Sequence, residues 1–177
     1  MMDIYVRVTG TLSDSAAAVL PSLSRLVFVG VLFGYFWTSA LTKLGPDLFT
    51  PSLGAFAQIF PRAMEAAGYD AGQLGLWHKV VVLAGTWAEF VLPVLIAVGV
   101  LTRLAALGMI GFILVQSLTD VIGHKADATT IGAWFDRVPD ALIVDQRGLW
   151  LLPLVVLVLQ GAGPLSLDTL LRRLRKV

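Results

Sequence analysis

The stretch VVVLAGTWAEFVLPVLIAVGVL, Val80–Leu101, decides the fold. A helix needs about 20 mainly apolar residues to cross a hydrocarbon layer about 30 Å thick. This run has 22, with Glu89 as its one charged residue. In lipid a helix satisfies its backbone groups internally, so the run reads as a helix despite its valines. It ends at Gly99-Val100-Leu101-Thr102-Arg103, and a second apolar run starts at once at Leu104. So tight a turn makes the two runs an antiparallel hairpin.

Two more runs flank the hairpin, and the four expected spans cover about 26–43, 80–101, 104–120 and 149–162. Composition agrees: the chain is 57% hydrophobic and 14% charged, against about 25% charged for a soluble domain. That much apolar surface cannot be hidden in one small core, so lipid is the expected partner. Thr38-Ser39-Ala40 resembles a signal-peptide cleavage site, but its apolar run starts only at about residue 26, so an uncleaved anchor is expected. The net charge of +1 provides no field to recruit nucleic acid. With no cysteine, disulfides, thiolate metal sites, iron–sulfur clusters and thiol chemistry are excluded.

Two connections, Gly45–Lys79 and Thr119–Gly148, have about 30 residues each, and loops of that length usually hold structure. In the first, Thr50-Pro51 reads as a helix start. Phe49, Leu53, Phe56, Phe60 and Met64 follow at helical spacing, and Gly68 closes the segment. In the second, Trp134, Val138 and Leu142 form a shorter stripe. Such stripes beside membrane spans lie in the interface or cap the bundle. The expected fold is therefore all-α, a single domain over residues 1–177. It is a four-helix transmembrane bundle with short amphipathic interfacial helices in the two long loops.

Charge sets the expected orientation. Arg7, Arg25, Arg103, Arg172, Arg173, Arg175 and Lys176 fall on one side, and Lys43, Arg62, Lys79, Lys125, Arg137 and Arg147 on the other. The first set includes the dense tail Arg172–Lys176 close to a span, so the positive-inside rule places both termini in the cytoplasm.

Glu89 lies ten residues into its span, where a charge costs roughly 2.5–3.5 kcal/mol on insertion scales. On a 3.6-residue period it shares a face with Val82, Gly85, Thr86, Leu92, Pro93 and Ile96. Gly85 leaves room beside it, and Pro93 frees a carbonyl nearby. It reads either as a proton-handling or ligand-binding carboxyl or as a paired group that joins helices. Lys43 either snorkels to the headgroups or reaches inward to Glu89. Gln116 and Thr38 match Glu89 in depth. Trp37 and Trp87 are candidates for ligand contact or plain packing. Gly30 and Gly34 mark a face for close helix contact. His78, Asp120 and His124 gather near the outer span ends as a weak metal alternative. Neither histidine falls inside an expected span, so a haem-ligating pair within the bundle is not expected.

In combination, Ser39-Ala40-Leu41-Thr42-Lys43-Leu44, the segment Glu89–Gly99 with Thr102-Arg103-Leu104-Ala105-Ala106, and Gly161-Ala162-Gly163-Pro164-Leu165-Ser166-Leu167-Asp168 resemble the DoxX family of small four-span membrane proteins. The likeness runs from about Leu23 to Leu171. Ala40 stands where the family usually has glycine before its lysine.

The resemblance implies a bacterial inner membrane and a link to oxidoreduction. The family takes its name from a subunit of an archaeal thiosulfate:quinone oxidoreductase. The leading expectation is a membrane subunit of a quinone-linked redox or oxidative-stress system, with a quinone or similar lipophile bound in the bundle. Glu89 would handle protons, Lys43 and Arg103 would shape the electrostatics, and Trp37 or Trp87 would line the pocket. The chain offers no evident redox centre of its own, so a quinone or a soluble or membrane redox partner would carry electrons. The alternatives are an anchor that recruits a partner protein and a small-molecule transporter. A homo-oligomer is compatible with each.

Overall fold

The computed structural model describes residues 1–175; Lys176, counted in the basic tail, lies outside the described residues. Helix α1 runs over residues 2–43 and contains a π-type turn at Val29–Phe33. Short helices α2 (Leu53–Ile59) and α3 (Pro61–Ala66) fill the first long loop. The hairpin is α4 (Leu76–Val98) and α5 (Thr102–Gly123). Helix α6 (Ala128–Ile131) lies in the second long loop, α7 spans Leu142–Gln160, and α8 is Leu167–Leu174.

Four helices are long and apolar enough to cross a membrane: Ser15–Lys43, α4, α5 and α7. Consecutive spans run antiparallel around a ring, with α1 packed on both α4 and α7 and α5 packed between them. Both termini and the α4–α5 turn share one end, and the two long loops share the other. Large apolar side chains including Val80, Val91, Leu104, Leu114, Leu152 and Leu159 are exposed on the outside of this ring, where lipid would cover them.

All four spans begin earlier than the sequence suggests, the first and the fourth by the most. The Ser- and Ala-rich segment before Arg25 continues the helix back to Met2 without a break. At 1.5 Å per residue α1 is about 60 Å long, about twice the hydrocarbon thickness. The fourth span starts at Leu142, because Asp145, Gln146 and Arg147 lie within the helical stretch rather than marking its edge.

The end of α4 explains the tight hairpin. Gly99 takes φ +76°, and the N–H groups of Gly99 and Val100 both donate to the Leu95 carbonyl, which closes the helix. A side chain there would come within 2.6 Å of Ser166 Cβ, so glycine is required by both conformation and space. Asp168 then caps α5 from a distant part of the chain, accepting from Leu101 N and Thr102 N at 3.0 Å each. Burial works to raise this carboxyl, but those N–H bonds and the charge of Arg172 outweigh it and hold the group below the ordinary carboxylate range.

Two apolar clusters are stacked along the bundle. Phe28, Leu32, Ile96, Met109, Ile113 and Leu154 belong to the larger, toward the end with the termini. Phe56, Met64 and Val82 form the smaller, where the first loop folds over the other end.

The first-loop stripe is split at Pro61, which opens α3, while Phe49 and Leu53 stay exposed. The helix start lies at Ser52 rather than Thr50-Pro51. Ser52 Oγ accepts from Ala55 N at 3.1 Å, whereas the Thr50 hydroxyl donates to Asp47. In the second loop, Trp134 and Val138 are exposed outside any helix, and Leu142 belongs to the fourth span. Gly30 and Gly34 are also exposed, with no atom from another part of the chain near either Cα face, so they mediate no close helix contact within the chain.

Candidate functional site

Helix α1 ends with Ser39 and Lys43 one turn apart, both turned toward α4. Helix α4 buries Val82, Thr86, Glu89, Pro93 and Ile96 on one face, which is the face the 3.6-residue period assigns to Glu89. The two helices are joined there by charge. Lys43 Nζ donates to Glu89 Oε1 at 2.9 Å and Oε2 at 2.8 Å. It also donates to Ser39 Oγ at 2.7 Å, and Ser39 Oγ donates to Glu89 Oε1 at 3.2 Å. Lys43 is 5% exposed and Glu89 is 2% exposed. Lys43 therefore reaches inward and does not snorkel.

This triad forms one wall of a cavity of about 370 Å³ between α1, α4 and α5. Small residues make the space: Ala84, Gly85 and Ala88 on α4 face Gly108 and Gly111 on α5. Ala84, Gly111 and Val115 line the cavity and are also exposed on the outside of the bundle, so it opens sideways between α4 and α5. Its other polar groups, Gln58, Gln116, Thr119 and Asp120, lie toward the long-loop end. Gln116 Nε2 donates to Tyr35 Oη at 2.9 Å, while its buried Oε1 has no partner among the described residues.

A second ion pair, with its arginine buried and its carboxylate partly exposed, stands at the edge of the cavity. The Arg147 guanidinium holds Asp120 through Nη2 and donates to Ser117 Oγ through Nη1 at 2.9 Å. Sequence reasoning left Arg147 in a loop and missed this pair. The available signal was depth, since Asp120 closes one span where Arg147 opens the next.

The expected site residues divide. Glu89 and Lys43 come together, with Gln116 lining the same cavity. Trp37 stacks on Phe33 and meets Phe90 edge-on, and Trp87 packs against Phe49 and Phe90. Neither tryptophan lines the cavity, and Thr38 is exposed. Arg103 lies at the other end of α5, in a depression with Arg172 and Arg175. His78, Asp120 and His124 do not assemble. Asp120 is taken by Arg147, His124 Nε2 pairs with the Gln58 carbonyl at 2.9 Å, and His78 lies inside α4 with its ring against Phe60. Among the described residues no three His, Cys, Asp or Glu converge on a metal position.

Arg25, read only as a flanking charge, is a structural clamp. Its guanidinium donates to the carbonyls of Ile96 and Ala97 at the end of α4 and of Ala162 and Leu165 after α7. The Ile96 and Ala97 carbonyls lack helical partners because α4 ends there.

A four-span membrane protein with a buried Lys–Glu pair facing a lateral cavity is the class that the fold and site define. The chain belongs to the DoxX family, whose model matches residues 21–120. That match takes in Arg25, Lys43, Glu89 and the cavity; the fourth span and the Gly161–Asp168 element lie beyond it. No curated protein and no solved structure matches the chain.

Proposed function

We propose that the protein is the membrane subunit of a quinone-linked redox or oxidative-stress system, and that the headgroup of a quinone or a similar lipophile occupies the cavity at Lys43 and Glu89. The observation that carries this reading is the combination of a sideways opening with a polar wall. Small-molecule sites of about 300–1,000 Å³ typically pair apolar walls with a few convergent polar groups, and this cavity has both that size and that lining. A lipid-soluble ligand can enter from the bilayer without crossing water.

The wall residues suit a carbonyl ligand. Lys43 Nζ or Ser39 Oγ, in exchange for its bond to Glu89, would donate to a carbonyl oxygen, and Glu89 would hold or pass on the proton that accompanies a change of redox state. A bound quinone would supply the two-electron chemistry, with electrons delivered by a partner protein. Protons would reach Glu89 from the long-loop end, where Gln116, Thr119 and Asp120 continue the polar lining. The opposite direction is filled by Phe28, Leu32, Ile96 and Met109. In this reading the long loops face the periplasm and the termini the cytoplasm, as the dense basic tail favours, in the bacterial inner membrane that the family resemblance implies.

The test is saturable binding of a short-chain quinone to protein in lipid nanodiscs, with quinone extracted from the purified protein as a second readout. Wild type should retain quinone and bind the analogue. Lys43→Met/Glu89→Leu, which removes both charges together, should do neither. Equal binding by the two proteins refutes the site.

A second reading, an anchor that recruits a partner, is favoured by the first half of α1. Ile4, Val8, Leu12 and Val19 on it are exposed. Truncation of residues 2–20 that leaves quinone binding intact but releases a co-purifying redox partner would assign the two roles to separate parts.

A further inference from the structure

At the end of the bundle that holds the termini, three arginines surround a second hollow. Arg103 comes from the start of α5, Arg172 from α8 and Arg175 from just after it, around a depression of about 390 Å³ lined also by Gly161. Gly161 takes φ +85°, and its Cα face lies in contact range of the Arg103 guanidinium. Among the described residues no carboxylate lies within ion-pair distance of these guanidinium groups. Asp168 shares the hollow, but its two oxygens are engaged by the N–H groups of Leu101 and Thr102. Arg172 Nε donates to the Asp168 carbonyl at 3.1 Å, which holds that arginine at the rim. Three positive charges against one negative leave a cationic recess.

The surroundings are apolar in a particular way. Helix α8 carries Leu167, Leu170, Leu171 and Leu174 at helical spacing, all exposed, with Arg172 and Arg173 on the other face. Leu101, Leu104 and Leu107 continue an exposed apolar strip down α5 from the same hollow. A helix of this kind lies in the plane of the interface with its leucines among acyl chains. The recess then sits at phosphate depth, with the leucine strip leading away from it into the hydrocarbon. We infer that this recess binds the headgroup of an anionic phospholipid, with Arg103, Arg172 and Arg175 around the phosphate and an acyl chain along Leu104 and Leu107. Basic recesses between spans are a recurrent means of holding such lipids. The inference is independent of the quinone reading, because the hollow shares no residue with the Glu89 cavity.

The test uses the full chain in phosphatidylcholine nanodiscs, titrated with phosphatidylglycerol and followed by native mass spectrometry. Arg173 neighbours the recess but does not line it, so Arg173→Gln removes the same charge from the same helix as a control. Wild type should retain one phosphatidylglycerol in preference to phosphatidylcholine. Arg103→Gln and Arg172→Gln should each weaken retention on the order of fivefold, and Arg173→Gln much less. Inorganic phosphate at millimolar concentration should not displace the lipid. Equal losses in Arg172→Gln and Arg173→Gln would reduce the effect to general surface charge and overturn the site. Displacement by inorganic phosphate alone would overturn the lipid as occupant. Unchanged thermal unfolding of each variant in phosphatidylcholine shows that the fold is intact.

Discussion

The Lys43 ammonium bridges both carboxylate oxygens of Glu89, at 2.9 and 2.8 Å, and ties the end of the first span to the middle of the second. Each charge is buried, so each depends on the other. Removing one partner of such a pair costs about 3–5 kcal/mol because a lone charge is left in a low-dielectric interior, whereas replacing both is often nearly neutral. Lys43→Met and Glu89→Leu should therefore each destabilise strongly, and the double variant should recover most of the loss. Thermal unfolding in one detergent across the four proteins measures this cycle. Additive losses would mean that the two charges act separately.

Arg25 predicts a different kind of sensitivity. Its planar fork reaches four carbonyls on two chain segments, and a lysine ammonium cannot reproduce that geometry. Arg25→Lys keeps the charge yet should lose about 2 kcal/mol, since bonds from charged donors are worth about 1.5–3 kcal/mol each. Unfolding by denaturant at constant lipid checks it. A variant as stable as wild type would show that charge alone is needed there.

The Asp168 cap carries a pH signature. Its folded pKa lies below the unfolded value, so its contribution is complete above the ordinary carboxylate range and is lost as pH falls through the folded value. Asp47 and Asp127 are depressed as well, by hydrogen bonds within their own loops, so the wild-type curve alone is ambiguous. The difference between wild type and Asp168→Asn isolates the cap. It should be about 0.3–1 kcal/mol near neutrality, from the carboxylate charge at the helix N-terminus, and shrink toward zero in strong acid. A difference independent of pH would remove the ionised carboxylate from the account.

The bundle was legible in the sequence because its main signal is local. Val80–Leu101 carries a single charge in 22 residues, and Gly99 marks where it must turn. Glu89 stood out by the same reasoning, and its helical period named the face it buries. What stayed hidden depends on contacts between distant segments. Arg147 and Asp120 mark span edges when read separately, and only the packing of α5 on α7 makes them a pair. Arg25 looks like an interfacial charge until the carbonyls around it are known. Trp37 and Trp87 follow the same logic in reverse: each is close to a cavity residue in sequence, but a helix turns 100° per residue, and both rings pack on phenylalanines without lining the cavity.

The most direct test of the central claim is to photolabel the protein in lipid nanodiscs with an azido-quinone and map the labelled peptides. The account predicts labels on the segments that line the cavity, Gly85–Leu92 of α4 and Gly108–Gln116 of α5, competed by unlabelled quinone. It also predicts their loss in Gly111→Leu, where the new side chain enters space that no other part of the chain occupies. Labels scattered over the lipid-facing surface, or cavity labels that persist in Gly111→Leu, would contradict it.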